Sequence, residues 1–395
     1  MSTLRIAGIG DSHLSEKNRL DDNVAVHQAF VDQARDAKVG LILHGGDFFD
    51  SRSTPTERNA LASFLQAAAA VAPVVGVKGN HDVDDDLAVF SQLRARENIS
   101  IFERPEVLVT RGVAIVCLPW FTKAGVVAAM AADAPIADST EATISAARRL
   151  LAALRMQAER AITRGDVPIF VGHVMVAGSE TSTGQVLIGS TVELAPSEIL
   201  EVGGAYSHLS HIHKAQSWYD GRVSYCGSPQ RHTFGENEPK GWNLVTIDTE
   251  RWREPGGVTV EFRELPARRI VLLEEDWAAS GPPEFSMELT LAARVEAGDL
   301  VRLRYRIKPE DLHLIDEARI ATILRSEGAH SVQLEAVLVH QDRVRCAEIV
   351  TALDTFEKCK AYWSAKDIDV TEAQRIRVRA KLEEIERRER AEVAA

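Results

Sequence analysis

Residues 4–13 read Leu4-Arg5-Ile6-Ala7-Gly8-Ile9-Gly10-Asp11-Ser12-His13, an apolar run that ends in a polar cluster. A short apolar run of this kind predicts a buried strand. The pattern recurs at Val39–His44, Val74–Val77, Val113–Leu118 and Val167–Val171. Three segments with apolar residues at helical spacing separate these runs. The first starts near Asp22, the second starts near Thr56, and the third spans Ser139–Arg164. The alternation of strands and helices predicts a layered α/β domain.

After Val202 the pattern changes to short strands separated by turns. We predict these strands at Arg222–Tyr225, Trp242–Asp248 and Val258–Glu264. They indicate a second, more antiparallel sheet packed on the first. Pro266 marks a boundary, so the first domain is predicted over residues 1–265.

Beyond Pro266 the sequence predicts a small α+β domain over residues 266–345 and a helical region over 346–395. The predicted elements of this part are strand Arg269–Leu273, a helix within Phe285–Glu296, strand Leu300–Lys308, a helix from Pro309 to Gly328 and strand Val332–Val339. The last helix, Thr371–Glu392, opens with Thr371 and Gln374 in capping-box spacing and is charged on nearly every face. It is either a solvated terminal helix or a helix that binds a partner.

The composition limits the class of protein. The chain has 395 residues, with 46 Lys or Arg and 58 Asp or Glu, which gives a formal net charge of −12. This charge excludes a generically basic nucleic-acid coat protein but not a nucleic-acid enzyme, because bound metal ions supply local positive charge. No apolar stretch approaches the roughly 20 residues that cross a bilayer, and no signal peptide is recognised. The four cysteines lack CxxC spacing, so we expect a cytoplasmic protein without a disulfide framework or a cysteine zinc site.

Polar motifs stand at the ends of predicted strands or in loops. They are Asp11-Ser12-His13, Gly46-Asp47-Phe48-Phe49-Asp50, Gly79-Asn80-His81-Asp82, Gly172-His173 and His211-Ile212-His213. The carboxyl ends of strands form the ligand crevice of α/β sheets, so these motifs are expected to converge. The glycines allow sharp turns there. The alternation in the last motif puts both imidazoles on one side of an extended segment.

These residue types indicate metal chemistry. Carboxylate, amide oxygen and imidazole together suit manganese, iron or zinc better than calcium. The seven candidate ligands are more than one tetrahedral ion uses, and they fit two ions about 3.5–4 Å apart. Each motif alone also fits an ordinary turn or a structural residue, but turn chemistry does not explain all five in this order.

Taken together, the motifs resemble those of the calcineurin-like metallophosphoesterase superfamily. Within it the chain resembles the bacterial SbcD nuclease subunits and their relatives, the meiotic recombination eleven nucleases. The stretches that narrow the resemblance are 46–52, 171–173 with 177–179, 209–216, 225–231 with 234–236, and 240–241. The resemblance is strong over about residues 4–250 and thinner to the end. It implies a four-layer α-β-β-α nuclease domain, a DNA-capping α+β domain and C-terminal helices that bind a partner.

The same resemblance implies two manganese ions, with magnesium, iron or zinc as alternatives. It assigns the first ion to Asp11, His13, Asp47 and His213, and the second to Asp47, Asn80, His173 and His211, so that Asp47 bridges. The implied catalytic residue is His81, which would stand over the scissile phosphate. Asp82 is expected to orient His81 by a hydrogen bond, and Asp50 has either an auxiliary or a structural role.

Two positions depart from the family pattern. Ser210 replaces the glycine that usually precedes the His-x-His pair, and a positive φ would strain a serine there. His208 replaces a small residue, and we expect no metal on it because both family sites are already filled. Structural roles are expected for His27 and His44. Cys226 has no base partner in the sequence, so we expect no nucleophilic role.

The resemblance implies a DNA nuclease with 3′-to-5′ exonuclease activity on duplexes and endonuclease activity on single strands. It further implies a homodimer with an SbcC-like coiled-coil ATPase as partner. One alternative is a phosphodiesterase for small nucleotides. The long region after Pro266 argues against it, because a small substrate needs no such second domain. The other is a non-catalytic subunit that binds DNA ends, against which the intact ligand set argues.

One more pattern bears on DNA binding. Cations alternate with apolar residues in Leu300–Lys308, at Arg302, Arg304, Arg306 and Lys308. In a strand, this spacing places the four cations on one face. The stripe is either a footprint for DNA phosphates or a solvated face whose charges are answered by nearby acidic residues.

Overall fold

The computed structural model describes residues 3–121, 140–183, 185, 192–281, 290–339, 352 and 354–393. The strands of the two large sheets are β1 (Thr3–Ile9), β2 (Leu41–His44), β3 (Val74–Val77), β4 (Ile99–Phe102), β5 (Glu106–Thr110), β6 (Val113–Leu118), β7 (Val167–His173), β10 (Tyr206–Ser210), β11 (Gln216–Trp218), β12 (Val223–Tyr225), β13 (Gly241–Asp248) and β14 (Val258–Glu264). The other strands are β8 (Met175–Val176), β9 (Glu193–Leu194), β15 (Ile270–Asp276), β16 (Leu300–Ile307) and β17 (Ser331–Leu338). The α-helices are α1 (Leu20–Asp36), α2 (Pro55–Ala69), α3 (Thr140–Thr163), α4 (Pro196–Gly203), α5 (Trp277–Ser280), α6 (Glu317–Ser326), α7 (Thr355–Ala365) and α8 (Glu372–Val393).

The first large sheet has the order β14-β13-β1-β2-β3-β4. Strands β1 to β4 are parallel, whereas β13 pairs antiparallel with β1, with Ile6 opposite Val245. The expectation that β13 and β14 belong to a second sheet is therefore wrong. Their alternating pattern predicted strands correctly but carried no information about which edge they join.

The second large sheet has the order β11-β12-β10-β7-β6-β5. Its central strands β12, β10, β7 and β6 are parallel, and only the edge strands are antiparallel. Strand β10 was not predicted from the sequence, because its polar residues Ser207, His208 and Ser210 mask a segment that is entirely buried.

The side chains of each central strand alternate between two cores, which defines four layers. In β6, Ile115 and Cys117 face the first sheet, whereas Ala114 and Val116 pack with the apolar side of α3. In β1, Ile6 faces the second sheet and Ala7 packs with residues of α1 and α2. The order of layers is helices, sheet, sheet, helices. The fold is thus the four-layer α/β arrangement that was expected.

The remaining strands β15, β16 and β17 form a three-stranded sheet in the order β15-β16-β17. The helix expected from Pro309 begins at Glu317 instead, because the Asp316 side chain accepts a hydrogen bond from the Arg319 amide and caps it there. Of the helix expected within 285–296, residues 290–292 are helical and 285–289 lie outside the described residues.

The described residues fall into two compact units. One contains those within Met1–Glu275, Pro283–Tyr305 and Asp316–Glu335, and the other contains those within Asp276–Pro282, Arg306–Ile315 and Ala336–Ala395. The domain bounds at 265 and 345 stay predictions.

Candidate active site

The seven predicted ligands stand at the carboxyl ends of strands from both large sheets. They are Asp11 and His13 after β1, Asp47 after β2, Asn80 after β3, His173 at the end of β7, and His211 and His213 after β10. Because the two sheets are stacked, the ends of their parallel strands bring these residues to one edge. The sequence pattern located this edge correctly.

A continuous series of contacts joins the seven residues. In order, it passes through Asp11, His211, Asn80, His173, Asp47, His13 and His213. The contact distances range from 2.8 Å for Asn80 to His173 up to 3.5 Å for His13 to Asp47. All seven side chains therefore belong to one site.

Three of the four residues predicted for the first metal form a tight group. Asp11, His13 and His213 each offer a ligand atom, and these atoms lie within 4.8 Å of one another. The Nε2 atoms of His13 and His213 are 3.1 Å apart. This group can hold one cation between a carboxylate and two imidazoles.

The second group is built around the amide oxygen of Asn80. Its Oδ1 atom is 2.8 Å from Nε2 of His173 and 2.9 Å from Nδ1 of His211. Nδ1 of His173 donates to the Gly45 carbonyl at 2.9 Å. In a neutral imidazole this leaves Nε2 without a proton, so that its lone pair faces the site.

Asp47 lies between the two groups. Its carboxylate is 3.5 Å from Nε2 of His13 and 3.4 Å from Nε2 of His173. The site leaves no room for a larger residue at Gly79, because a Cβ there would lie 2.0 Å from Oδ1 of Asp47. Asp47 therefore contacts one histidine of each group, and its bridging role stays a prediction.

The backbone is strained at four of the seven residues. Asp11, His13 and Asp47 adopt φ values of 51°, 44° and 52°, and His211 has a φ of 114°. Residues other than glycine rarely occupy this region, and each such residue costs about 1–3 kcal/mol. The surrounding structure therefore holds these side chains in place against a local preference.

The electrostatics of the site favour a cation. Burial raises the pKa of Asp11 to about 6, and the Asp47 carboxylate adds to this effect. Burial also raises the pKa of Asp47, but His173 and His13 outweigh it and hold that pKa below its usual range. Burial lowers the pKa of His13, yet Asp50, Asp47 and Asp11 together raise it to about 9. Two buried carboxylates in one pocket repel each other, and a divalent cation removes that repulsion.

Unpartnered atoms test whether metals fit. Nε2 of His211 and Nδ1 of His213 are buried and have no hydrogen-bond partner among the described residues. A buried polar nitrogen without a partner costs about 1–3 kcal/mol. The donor set of carboxylates, imidazoles and one amide oxygen suits divalent metal ions. The residues present fit such ions.

His81 lies beside the ligands, at the wall of a cleft of about 200 Å³ that His13 and Asn80 also line. Its Nδ1 donates to the Asp50 carbonyl at 3.0 Å. The prediction of a hydrogen bond between Asp82 and His81 is wrong. The Asp82 carboxylate instead accepts backbone amides from Phe49 and Gly79, at 3.0 and 2.9 Å.

The backbone of Asp50, rather than the side chain of Asp82, makes the hydrogen bond to His81. The Asp50 carbonyl orients His81, and the Asp50 carboxylate lies 3.4 Å from Nδ1 of His13. At this distance the negative charge of the Asp50 carboxylate helps to raise the pKa of His13. Asp82 holds the 47–50 and 79–82 loops together through its amide contacts.

Three residues of the site were missed by sequence reasoning. His232 packs 4.9 Å from His13 and 5.0 Å from His213, measured between ring centroids, and its Nε2 is buried. The Gln185 side chain bonds to the His211 carbonyl and the His213 amide. Their signal was weak, because neither residue directly follows a predicted strand.

The third missed residue is Lys240, whose side chain is fully buried. Its ammonium group donates to the His213 carbonyl at 3.0 Å and pairs with Glu236 at 2.6 Å and Glu238 at 2.9 Å. Removing one partner of a buried pair costs about 3–5 kcal/mol. In the sequence, only the family resemblance of residues 240–241 points to Lys240.

The two departures from the family pattern have structural explanations. The positive φ falls on His211 and not on Ser210. The hydroxyl of Ser210 fits because Gly10 and Gly45 have no side chains, and a Cβ on either would lie within 2.1 Å of it. His208 lies between the sheets and donates from Nε2 to the Ile9 carbonyl at 2.9 Å.

The cationic stripe of β16 has the alternation that was predicted, with Val301, Leu303, Tyr305 and Ile307 buried. Arg304 pairs with Glu335 at 3.3 Å and Arg306 with Asp276 at 2.7 Å. Arg302 lies over the Phe234 ring at 4.1 Å. These contacts favour the alternative of a solvated strand face. DNA binding by Arg302, Arg304, Arg306 and Lys308 stays a prediction.

Within the described residues, no helix is both long enough and apolar enough to cross a membrane.

Comparison with known proteins gives a family match for the N-terminal part of the chain. The model of the calcineurin-like phosphoesterase family matches residues 4–136. Two solved structures resemble the fold at a distance. GAP50, the anchor in the inner membrane complex of Plasmodium, has 13% identity and a TM-score of 0.40, over 67% of this chain and 85% of its own. TT1561 of Thermus thermophilus has 12% identity and a TM-score of 0.38, over 67% of this chain and 99% of its own. The family match over residues 4–136 supports the calcineurin-like phosphoesterase superfamily, and together with the cluster of Asp and His side chains it suggests a metal-dependent phosphoesterase.

Proposed function

We propose that the protein is a dinuclear-metal DNA nuclease of the SbcD type, with manganese as its metal. The observation that carries the two-metal part is the position of Asp47, whose carboxylate lies 3.5 Å from His13 and 3.4 Å from His173. These two imidazoles belong to different ligand groups, so the carboxylate is shared. The choice of DNA as substrate rests on the motif resemblance over about residues 4–250.

When bound, the two metals supply charge stabilisation for the phosphoryl transition state and lower the pKa of an attacking water. The chain's own residues do the rest. Asp11, His13 and His213 would hold one ion, Asn80, His173 and His211 would hold the other, and Asp47 lies between the two groups. We assign to His81, whose Nδ1 donates to the Asp50 carbonyl, the donation of a proton to the leaving 3′ oxygen.

The partners are part of the proposal. Helix α8 carries exposed apolar residues, of which Ile376 is 61% and Ile385 is 43% exposed. Exposed apolar residues on an otherwise charged helix suit docking on a coiled-coil base. We propose that α8 binds an SbcC-like ATPase. We also propose that the protein forms a homodimer through its nuclease domain.

A nuclease assay tests the substrate. Single- and double-stranded DNA with labelled ends is incubated with manganese, with magnesium and with EDTA. Release of nucleotides from duplex 3′ ends in manganese, lost in EDTA and in Asp47→Asn, is the expected result. Hydrolysis of cyclic or small phosphodiesters with no action on DNA would favour the small-nucleotide alternative. Tight binding of DNA ends without any hydrolysis would favour the non-catalytic subunit.

A further inference from the structure

A chain of buried polar side chains lies behind the first ligand loop and takes no part in the chemistry described above. Its members are Ser12, Asn23, His27 and His44, none of them more than 2% exposed. Ser12 stands between the candidate ligands Asp11 and His13 in sequence. Sequence reasoning assigned His27 and His44 only structural roles.

The contacts among these side chains define the direction in which hydrogen bonds are donated. Nδ1 of His27 lies 2.8 Å from the Asn23 carbonyl, which can only accept, so Nδ1 carries the proton. Nε2 of His27 must then accept, and it lies 2.7 Å from the Ser12 hydroxyl. The hydroxyl proton of Ser12 therefore points to His27.

The other half follows by the same reasoning. Nδ1 of His44 accepts the Gly46 amide at 3.2 Å, so its proton is on Nε2. That Nε2 lies 2.8 Å from the Ser12 hydroxyl and donates to it. Donation thus runs from His44 to Ser12, from Ser12 to His27 and from His27 to the Asn23 carbonyl. In this network of Ser12, Asn23, His27 and His44, both ring nitrogens of each imidazole and the Ser12 hydroxyl have hydrogen-bond partners.

This network connects the two loops that carry Asp11, His13 and Asp47. Ser12 belongs to the first loop, and His44 reaches the second through the Gly46 amide. The backbone joins the same loops, because the Asp11 amide donates to the Gly46 carbonyl and the His13 amide to the Asp47 carbonyl, both at 2.9 Å. Helix α1 supplies Asn23 and His27, and the Asn23 amide group also donates to the Ser12 carbonyl at 2.6 Å.

The backbone at both loops needs this support. Asp11, His13 and Asp47 have positive φ values of 51°, 44° and 52°. A loop that is strained at two of three consecutive residues relaxes unless its middle residue is held. Ser12 is that middle residue, and its hydroxyl and its carbonyl are both bonded.

We propose that Ser12, His27 and His44 form a positioning network that sets the strained Asp11 to His13 loop against Asp47 and thereby determines metal affinity. The inference rests on the proposed two-metal site and adds residues that do not touch the metal or the substrate. Partners behind metal ligands typically change metal affinity by about 10–100-fold when they are removed. The network has no role that requires DNA as the substrate.

The test compares two buried serines. Ser12→Ala removes the central hydroxyl of the network. Ser224→Ala is the matched control, because the Ser224 hydroxyl is also buried and lies 3.1 Å from both the Tyr206 hydroxyl and the Asn243 amide group. Manganese binding is measured by titration calorimetry, and thermal unfolding is measured in EDTA.

We expect Ser12→Ala to bind manganese about 10–100-fold more weakly than the unaltered protein. Ser224→Ala should match the unaltered protein in affinity, although both variants lose thermal stability in EDTA. Ser12→Thr keeps the hydroxyl and should restore most of the affinity. Where Ser12→Ala fails to fold, Ser12→Cys fills the same space with a weak donor and acceptor and should show the same loss.

Unchanged affinity in Ser12→Ala or Ser12→Cys would overturn the inference. An equal loss in Ser224→Ala would also overturn it, because the effect would then be general destabilisation. Because binding is measured without nucleic acid, failure to hydrolyse DNA affects only the proposed function. An unaltered protein that binds no manganese would overturn both.

Discussion

Two sets of polar residues in this protein behave in opposite ways. Those at the ends of the central strands, such as Asp11, Asp47 and His211, are buried and hold a strained backbone. The arginines along β16 lie on a regular strand, and Arg304 and Arg306 are paired with carboxylates. Both sets looked functional in sequence. Buried polar groups under strain persist only when something compensates for them, whereas paired surface charges need no further explanation.

The largest effect is expected from a substitution of Asp47. Asp47→Ala should abolish hydrolysis and reduce metal binding at both sites, because two closely spaced cations repel strongly without an anion between them. Metal content measured by elemental analysis, together with the nuclease assay, checks this. Two bound metals with full activity in the variant would contradict the bridging role.

His81 should behave differently from the ligands. His81→Ala should lower turnover by at least about 100-fold and keep both metals, because a proton donor acts in the transition state. His313→Ala, at an exposed histidine, is the control and should leave turnover unchanged. Turnover and metal content are measured on the same preparations. A parallel loss of metal and activity would make His81 a ligand.

The buried network gives a prediction about pH. Burial lowers the pKa of His27 from 6.5 to about 4, although the bond to the Asn23 carbonyl acts in the other direction. The unfolded chain takes up a proton below about pH 6.5 that the folded protein refuses until about pH 4, so acid favours unfolding across that window. We expect His27→Gln to reduce this pH dependence by up to one proton, about 1.4 kcal/mol per pH unit.

Urea unfolding in EDTA at several pH values between 7 and 4.5 measures this dependence. His313→Gln serves as the control and should keep the slope of the unaltered protein. Identical slopes for His27→Gln and the unaltered protein would show that His27 is already charged in the folded state.

The smallest effect is expected on β16. Because Arg304 is paired with Glu335 and lies 3.8 Å from Glu274, Arg304→Ala should leave DNA affinity and its salt dependence nearly unchanged. The measurement is DNA binding at several salt concentrations in the His81→Ala background. A fall of about 1 in the slope of log affinity against log salt would mark a lost phosphate contact and restore the stripe as a DNA footprint.

Much of the site was predictable because its residues follow strands. Asp11, Asp47 and Asn80 each lie within three residues of the end of a strand, and parallel strands deliver such residues to one edge. His232, Gln185 and Lys240 were missed because loops bring them to the site, and a loop has no periodicity to read. The partner of His81 was misassigned to Asp82, because adjacency in sequence does not determine where a side chain points.

The sequence by itself predicted many of the strands but not β10, and it predicted the layered α/β class and the seven metal-ligand candidates, since hydrophobic periodicity and residue chemistry are local properties. Only the tertiary structure decided that β13 and β14 extend the first sheet, because alternation fixes which face of a strand is buried and not its neighbour. The tertiary structure also decided that Ser12 joins His27 to His44, because these contacts bridge 15 and 32 residues of sequence. Long-range contacts of this kind depend on how the layers stack, which no local pattern encodes.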